Sequence, residues 1–94
     1  NSDGYYYIRN EWKQNEFLHI ENGPLEVGNI KSYWWGAQWI LVPVTNVPSE
    51  QLGKVFRIQN RWKRDIFINV EVGSVQATPA PDYWDSAKWL FEKQ

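Results

Sequence analysis

Apolar and polar residues alternate along this chain at a spacing that suits strands. No window of useful length carries apolar residues at i, i+3, i+4 and i+7 without a Gly or Pro inside it, so helices are not expected. Short β-branched, aromatic or alternating runs stand at residues 5–9, 17–21, 25–27 and 38–42, each bounded by turn residues. Asn22-Gly23 is the strongest hairpin signal. Gly23 and Gly73, the latter in Val72-Gly73-Ser74, are both expected at positive φ. Pro79-Ala80-Pro81-Asp82 is unsuited to a central strand and is expected to be loop.

A shift of fifty positions lays the second half of the chain on the first without a gap. Ile8 falls on Ile58, Asn10 on Asn60, Trp12-Lys13 on Trp62-Lys63 and Phe17 on Phe67. Glu21, Gly23, Tyr33-Trp34, Ala37 and Trp39 fall on Glu71, Gly73, Tyr83-Trp84, Ala87 and Trp89. The fourth strand at 38–42 is matched by 88–92. The expectation is one all-β domain over residues 1–94, built of two tandem four-stranded repeats at 5–44 and 55–94. The linker at 45–54, polar and broken by Pro48 and Gly53, reads as a surface loop.

Ile8-Arg9-Asn10, the run from Phe17 to Gly23, and Ala37-Gln38-Trp39-Ile40-Leu41 look most like lobes of the ricin-B-type lectins and carbohydrate-binding modules. That resemblance implies a trefoil-like architecture and glycan binding. The chain departs from the pattern in two places. It holds two lobes where a trefoil has three, and Ala37 and Ala87 stand where the lectin Gln-x-Trp would place glutamine. An incomplete trefoil, its missing lobe supplied by a homo-oligomer or a partner chain, is therefore expected. Two lobes alone would leave strand edges open. A crystallin-like two-repeat domain would be self-contained, but its aromatic strand followed by a corner glycine is not found near Trp12 or Trp62.

Composition narrows the chemistry. Ten Lys+Arg against eleven Asp+Glu give a formal net charge of −1, which argues against a nucleic-acid partner. No apolar run approaches the ~20 residues of a membrane span. Cysteine is absent and His19 is the single histidine, which removes thiolate metal sites, cysteine nucleophiles and the usual His-based triads. No cofactor or metal is expected. The chain does not begin with Met and shows no signal segment, so either a leader was removed or it is a piece of something longer. It also lacks N-x-[ST] sites. These features suit secretion and a cytoplasmic fragment alike, and the expectation carried forward is a secreted or extracellular protein.

The surplus is aromatic: seven Trp, five Tyr and four Phe. Trp39 and Trp89, inside apolar strands, are expected in the core with Phe17, Phe67, Ile20, Val70, Ile8 and Ile58. Candidate ligand-binding residues are Tyr33, Trp34, Trp35, Tyr83, Trp84 and Asp85, with Trp12 and Trp62. Consecutive large aromatics on a strand cannot all face inward, so part of 33–35 should be exposed as a contact surface. The plainer reading is a packing cluster under a loop for 33–35, and a cap on the base of the core for Trp12 and Trp62. Glu21 and Glu71 invite comparison with a glycosidase pair, but read better as solvated residues at strand ends. His19 reads as a surface residue. A non-enzymatic, lectin-like glycan-binding module is expected, the alternative being a protein-interaction or subunit module whose aromatic patch meets another chain.

Overall fold

The computed structural model describes residues 4–92 and is all-β. Its strands are β1 (Phe17–His19), β2 (Glu26–Gly28), β3 (Trp39–Pro43), β4 (Val55–Asn60), β5 (Ile66–Asn69), β6 (Gln76–Pro79) and β7 (Lys88–Leu90). Three-residue 3₁₀ turns occupy Trp35–Ala37, Ser49–Gln51 and Asp85–Ala87, the middle one inside the expected linker. No helix among the described residues is long and apolar enough to cross a membrane.

β4 organises the sheet. One side pairs antiparallel with β3 from Trp39↔Asn60 to Pro43↔Phe56. The other side pairs with β7 at Val55↔Leu90, Phe56↔Trp89 and Arg57↔Lys88, and with β5 at Gln59↔Phe67. Residues 5–9, the expected counterpart of β4, form only the isolated bridges Tyr6↔Trp39 and Arg9↔Phe17. Those bridges repeat the β4–β7 and β4–β5 contacts fifty residues earlier. Among the described residues no strand braces residues 6–9 on the side where β3 braces β4, and a strand held from one side alone is shortened to bridges.

The hairpins β1–β2 and β5–β6 pair as Phe17↔Gly28 to His19↔Glu26 and Ile66↔Pro79 to Asn69↔Gln76. Gly23 and Gly73 have φ of 109° and 104°. Their N–H groups donate to the carbonyls of Ile20 and Val70 at 3.0 and 2.9 Å, closing turns longer than the two-residue Asn-Gly hairpin. Pro79 does not lie in the loop as expected. It ends β6, the last strand of the order β3-β4-β5-β6, an edge where a missing N–H can be tolerated.

The core gathers Ile20, Trp39, Ile58, Ile68 and Ala77, with Ile8 and Trp89 packed partly buried against it. Each core indole also satisfies its own donor: Trp39 Nε1 donates to Leu18 O at 3.1 Å and Trp89 Nε1 to Ile68 O at 2.9 Å. His19 is buried rather than on the surface. Its ring meets Trp34 edge-on at 5.7 Å, and its Nδ1 accepts from Glu21 N at 3.3 Å. Asn69, its counterpart, is also buried and accepts from Glu71 N at 3.1 Å. Both side chains hold the backbone as it leaves the strand.

Trp39 has no exposed surface, whereas Trp89 is partly exposed. Trp39→Ala should cost about 3–5 kcal/mol and Trp89→Ala distinctly less, read from urea unfolding midpoints. Equal costs would contradict this placement of the core.

Candidate functional site

The junction between the two halves is where the chemistry collects. Asn60, fully buried at the end of β4, accepts at Oδ1 from the N–H groups of Trp62 and Lys63 at 2.9 and 3.1 Å, which folds the chain into a tight turn. Its Nδ2 donates across the junction to Gly36 O at 3.0 Å. That turn sets Trp62 against residue 36. Gly36 N in turn donates to Glu21 Oε2 at 2.9 Å, and Gly36 O also accepts from Ile20 N at 3.0 Å. A Cβ on residue 36 would lie 3.1 Å from Glu21 Cδ and 3.3 Å from Trp62 Cε3, and closer still to the carboxylate oxygen, so a larger residue there would push the carboxylate aside and press on the indole.

Glu21, Tyr33, Trp34, Trp35 and Trp62 thereby line one open groove of about 600 Å³. Tyr33 is 71% exposed, Trp35 50% and Trp62 46%. Trp34 instead turns inward onto His19. Tyr33 and Trp34 precede, and Trp35 opens, a 3₁₀ turn. The strand alternation expected for 33–35 is therefore replaced by a turn, with the same division into inward and outward rings. Arg61 stiffens the wall: its guanidinium lies 4.1 Å over Trp35 and 3.8 Å over Tyr5, and its Nη1 donates to Gln38 Oε1 at 2.5 Å. Lys63 Nζ rests 4.7 Å over Trp62.

The other candidates lie apart from this groove. Tyr83, Trp84 and Asp85 lead into the third 3₁₀ turn, with Tyr83 74% exposed. There Ser86 stands at Gly36's position and its hydroxyl donates to Glu71 Oε1 at 2.5 Å. Asp85 pairs with Lys88 at 3.0 Å. Trp12 is 85% exposed and does not cap the base of the core. Its turn nevertheless keeps the shape of the Trp62 turn, since Asn10 Oδ1 accepts from Trp12 N and Lys13 N at 2.9 and 2.8 Å.

Glu21 is half-buried rather than simply solvated. One of its oxygens is held by Gly36 and the other, Oε1, has no hydrogen bond among the described residues. Glu21 and Glu71 serve separate neighbours, Gly36 and Ser86, and do not form a pair. Sequence reasoning passed over Gly36, Asn60 and Arg61. The repeated Asn-x-Trp-Lys at 10–13 and 60–63 was the available signal, because a polar residue kept two places before a kept Trp marks a turn that aims the ring.

No protein-family model matches the chain, and no curated protein matches it. Among solved structures, the GlcNAcα1-4Gal-releasing endo-β-galactosidase from Clostridium perfringens contains a similar segment. The TM-score is 0.77 at 34% identity over 93% of this chain, and the match spans 20% of that enzyme's chain. The likeness supports the all-β fold.

Gly36→Ala should destabilise the chain by roughly 1–3 kcal/mol and displace Trp62, moving its fluorescence to the red. Ser86→Ala, which removes only one exposed hydroxyl contact, should cost well under 1 kcal/mol. The check is chemical unfolding followed at the tryptophans; a neutral Gly36→Ala would contradict the close approach.

Proposed function

We propose that the chain is a non-catalytic carbohydrate-binding module whose glycan site is the groove at the repeat junction. The observation that carries this reading is the convergence of Tyr33, Trp35 and Trp62, all substantially exposed, around the Glu21 carboxylate. Flat aromatic faces suit the apolar C–H faces of sugar rings, and a carboxylate oxygen with no other partner suits a sugar hydroxyl. Arg61 and the Asn60 turn hold the rings in place before any ligand arrives, which lowers the ordering cost of binding. A neighbour named for endo-β-galactosidase activity, 34% identical over the aligned segment, favours glycans over other ligands. A groove with a single carboxylate and the separate placement of Glu71 favour binding over hydrolysis.

The fold reading that goes with this proposal is two lobes of a trefoil-like barrel. It is supported by the way each repeat's first and fourth strands pair within the repeat, at Tyr6↔Trp39 and Phe56↔Trp89, while β3 of one repeat joins β4 of the next. A secreted or extracellular location suits a glycan ligand.

Single sites of this kind bind at about the millimolar level, near −4 kcal/mol, so binding is best read on a surface that presents many glycans at once. Trp62→Ala and Tyr33→Ala should each lower glycan-array signal at least tenfold without moving the unfolding midpoint of the core. Trp12→Ala should leave the groove's intrinsic affinity for soluble glycan unchanged. An unaltered array signal for Trp62→Ala would contradict the site.

A further inference from the structure

The junction between the repeats has two halves, and each half recurs, unused, at the ends of the chain's strand ladder. One half is a plug: the Asn60–Trp62 turn on β4. The other is a socket: the Glu21–Gly36 groove followed by β3. The second plug, Asn10–Trp12, has the same Asn-capped turn. Its Trp is 85% exposed where Trp62 is 46%, and Asn10 Nδ2, the counterpart of the group that reaches Gly36 O, has no partner among the described residues. The second socket comprises Glu71, Tyr83, Trp84 and Ser86, followed by β7, and among the described residues no indole closes it in the way Trp62 closes the first.

We propose that a second copy of this chain docks head to tail, its Trp12 turn packing on the surface formed by Glu71, Tyr83 and Ser86. The strand ladder continues through the same contact. Among the described residues β7 pairs with β4 alone, and residues 6–10 of an incoming copy would lie along its open edge as β4 lies along β3. The charges match where the residue types change. At the existing junction Arg61 meets Gln38; at the proposed one Glu11 meets Lys88, the residues at the corresponding positions. Lys88 already holds Asp85 at 3.0 Å, so its ammonium would sit between two carboxylates, with Lys13 of the incoming turn close by. Because plug and socket are different surfaces, the contact is heterologous, and each chain offers one of each. The second socket gains its tryptophan only from the neighbour.

Two variants separate this contact from any other. Trp12→Ala removes the plug and truncates an exposed side chain, while Ser86→Arg fills the socket and can pair with Glu71. Sedimentation without glycan, so that the result is independent of the glycan reading, should show the unmodified chain assembling above 11.2 kDa as concentration rises. Each variant alone should stay at 11.2 kDa, and an equimolar mixture of the two should form a 1:1 species of about twice that mass, from the intact socket of one and the intact plug of the other. Should Ser86→Arg fail to fold, as circular dichroism would show, Trp12→Ala alone decides. An unmodified chain that remains monomeric to millimolar concentration, or a Trp12→Ala chain that assembles like the unmodified one, overturns the proposal.

Discussion

Everything at the junction depends on the 3.0 Å hydrogen bond from the Asn60 side chain to the carbonyl of Gly36. Asn60 has no exposed surface, so its amide has no water to fall back on, and losing Gly36 O would leave it buried and unpaired, while the carbonyl also holds the N–H of Ile20. The same asparagine shapes the turn that carries Trp62, and the same glycine holds Glu21 with its N–H. One buried polar contact thus fixes how the two halves sit together, where the indole stands and which way the carboxylate points. The apolar core beneath, centred on Trp39, supplies the burial that makes the halves adhere, but it does not set that geometry.

Strand positions were largely legible because the relevant signals are local. Alternation, β-branched residues and turn glycines place β1 to β7 to within about two residues, the usual uncertainty at element ends. The exceptions are long-range. Residues 5–9 have as good a strand pattern as 55–60, yet form bridges only, because pairing depends on a neighbour that the local pattern does not contain. Pro79 was excluded from a strand by a rule for central strands, whereas β6 lies at an edge. His19 between two apolar residues was read as facing solvent, but a backbone N–H two places on and the ring of Trp34 give it a buried setting.

The site was legible as a list and not as an arrangement. Tyr33, Trp35 and Trp62 were all named from their residue type, but nothing in the spacing says that a residue of the second repeat closes a groove of the first. The same gap explains why Trp12 and Trp62, equivalent in sequence, differ so much in exposure: one has a groove beside it and the other does not. Gly36 and Ser86 hold their glutamates differently: a Cβ on residue 36 would crowd the Glu21 carboxylate as it is placed, whereas Ser86 reaches Glu71 through its hydroxyl.

The claim that the junction groove is the ligand site is tested most directly by the indole N–H signals of the seven tryptophans in a two-dimensional nitrogen–proton spectrum recorded as a galactose-containing oligosaccharide is added. Trp35 and Trp62 should shift together and saturate along one binding curve, with Trp39 unmoved in the core. Shifts confined to Trp12 or Trp84, with Trp35 and Trp62 unchanged at saturation, would contradict the account.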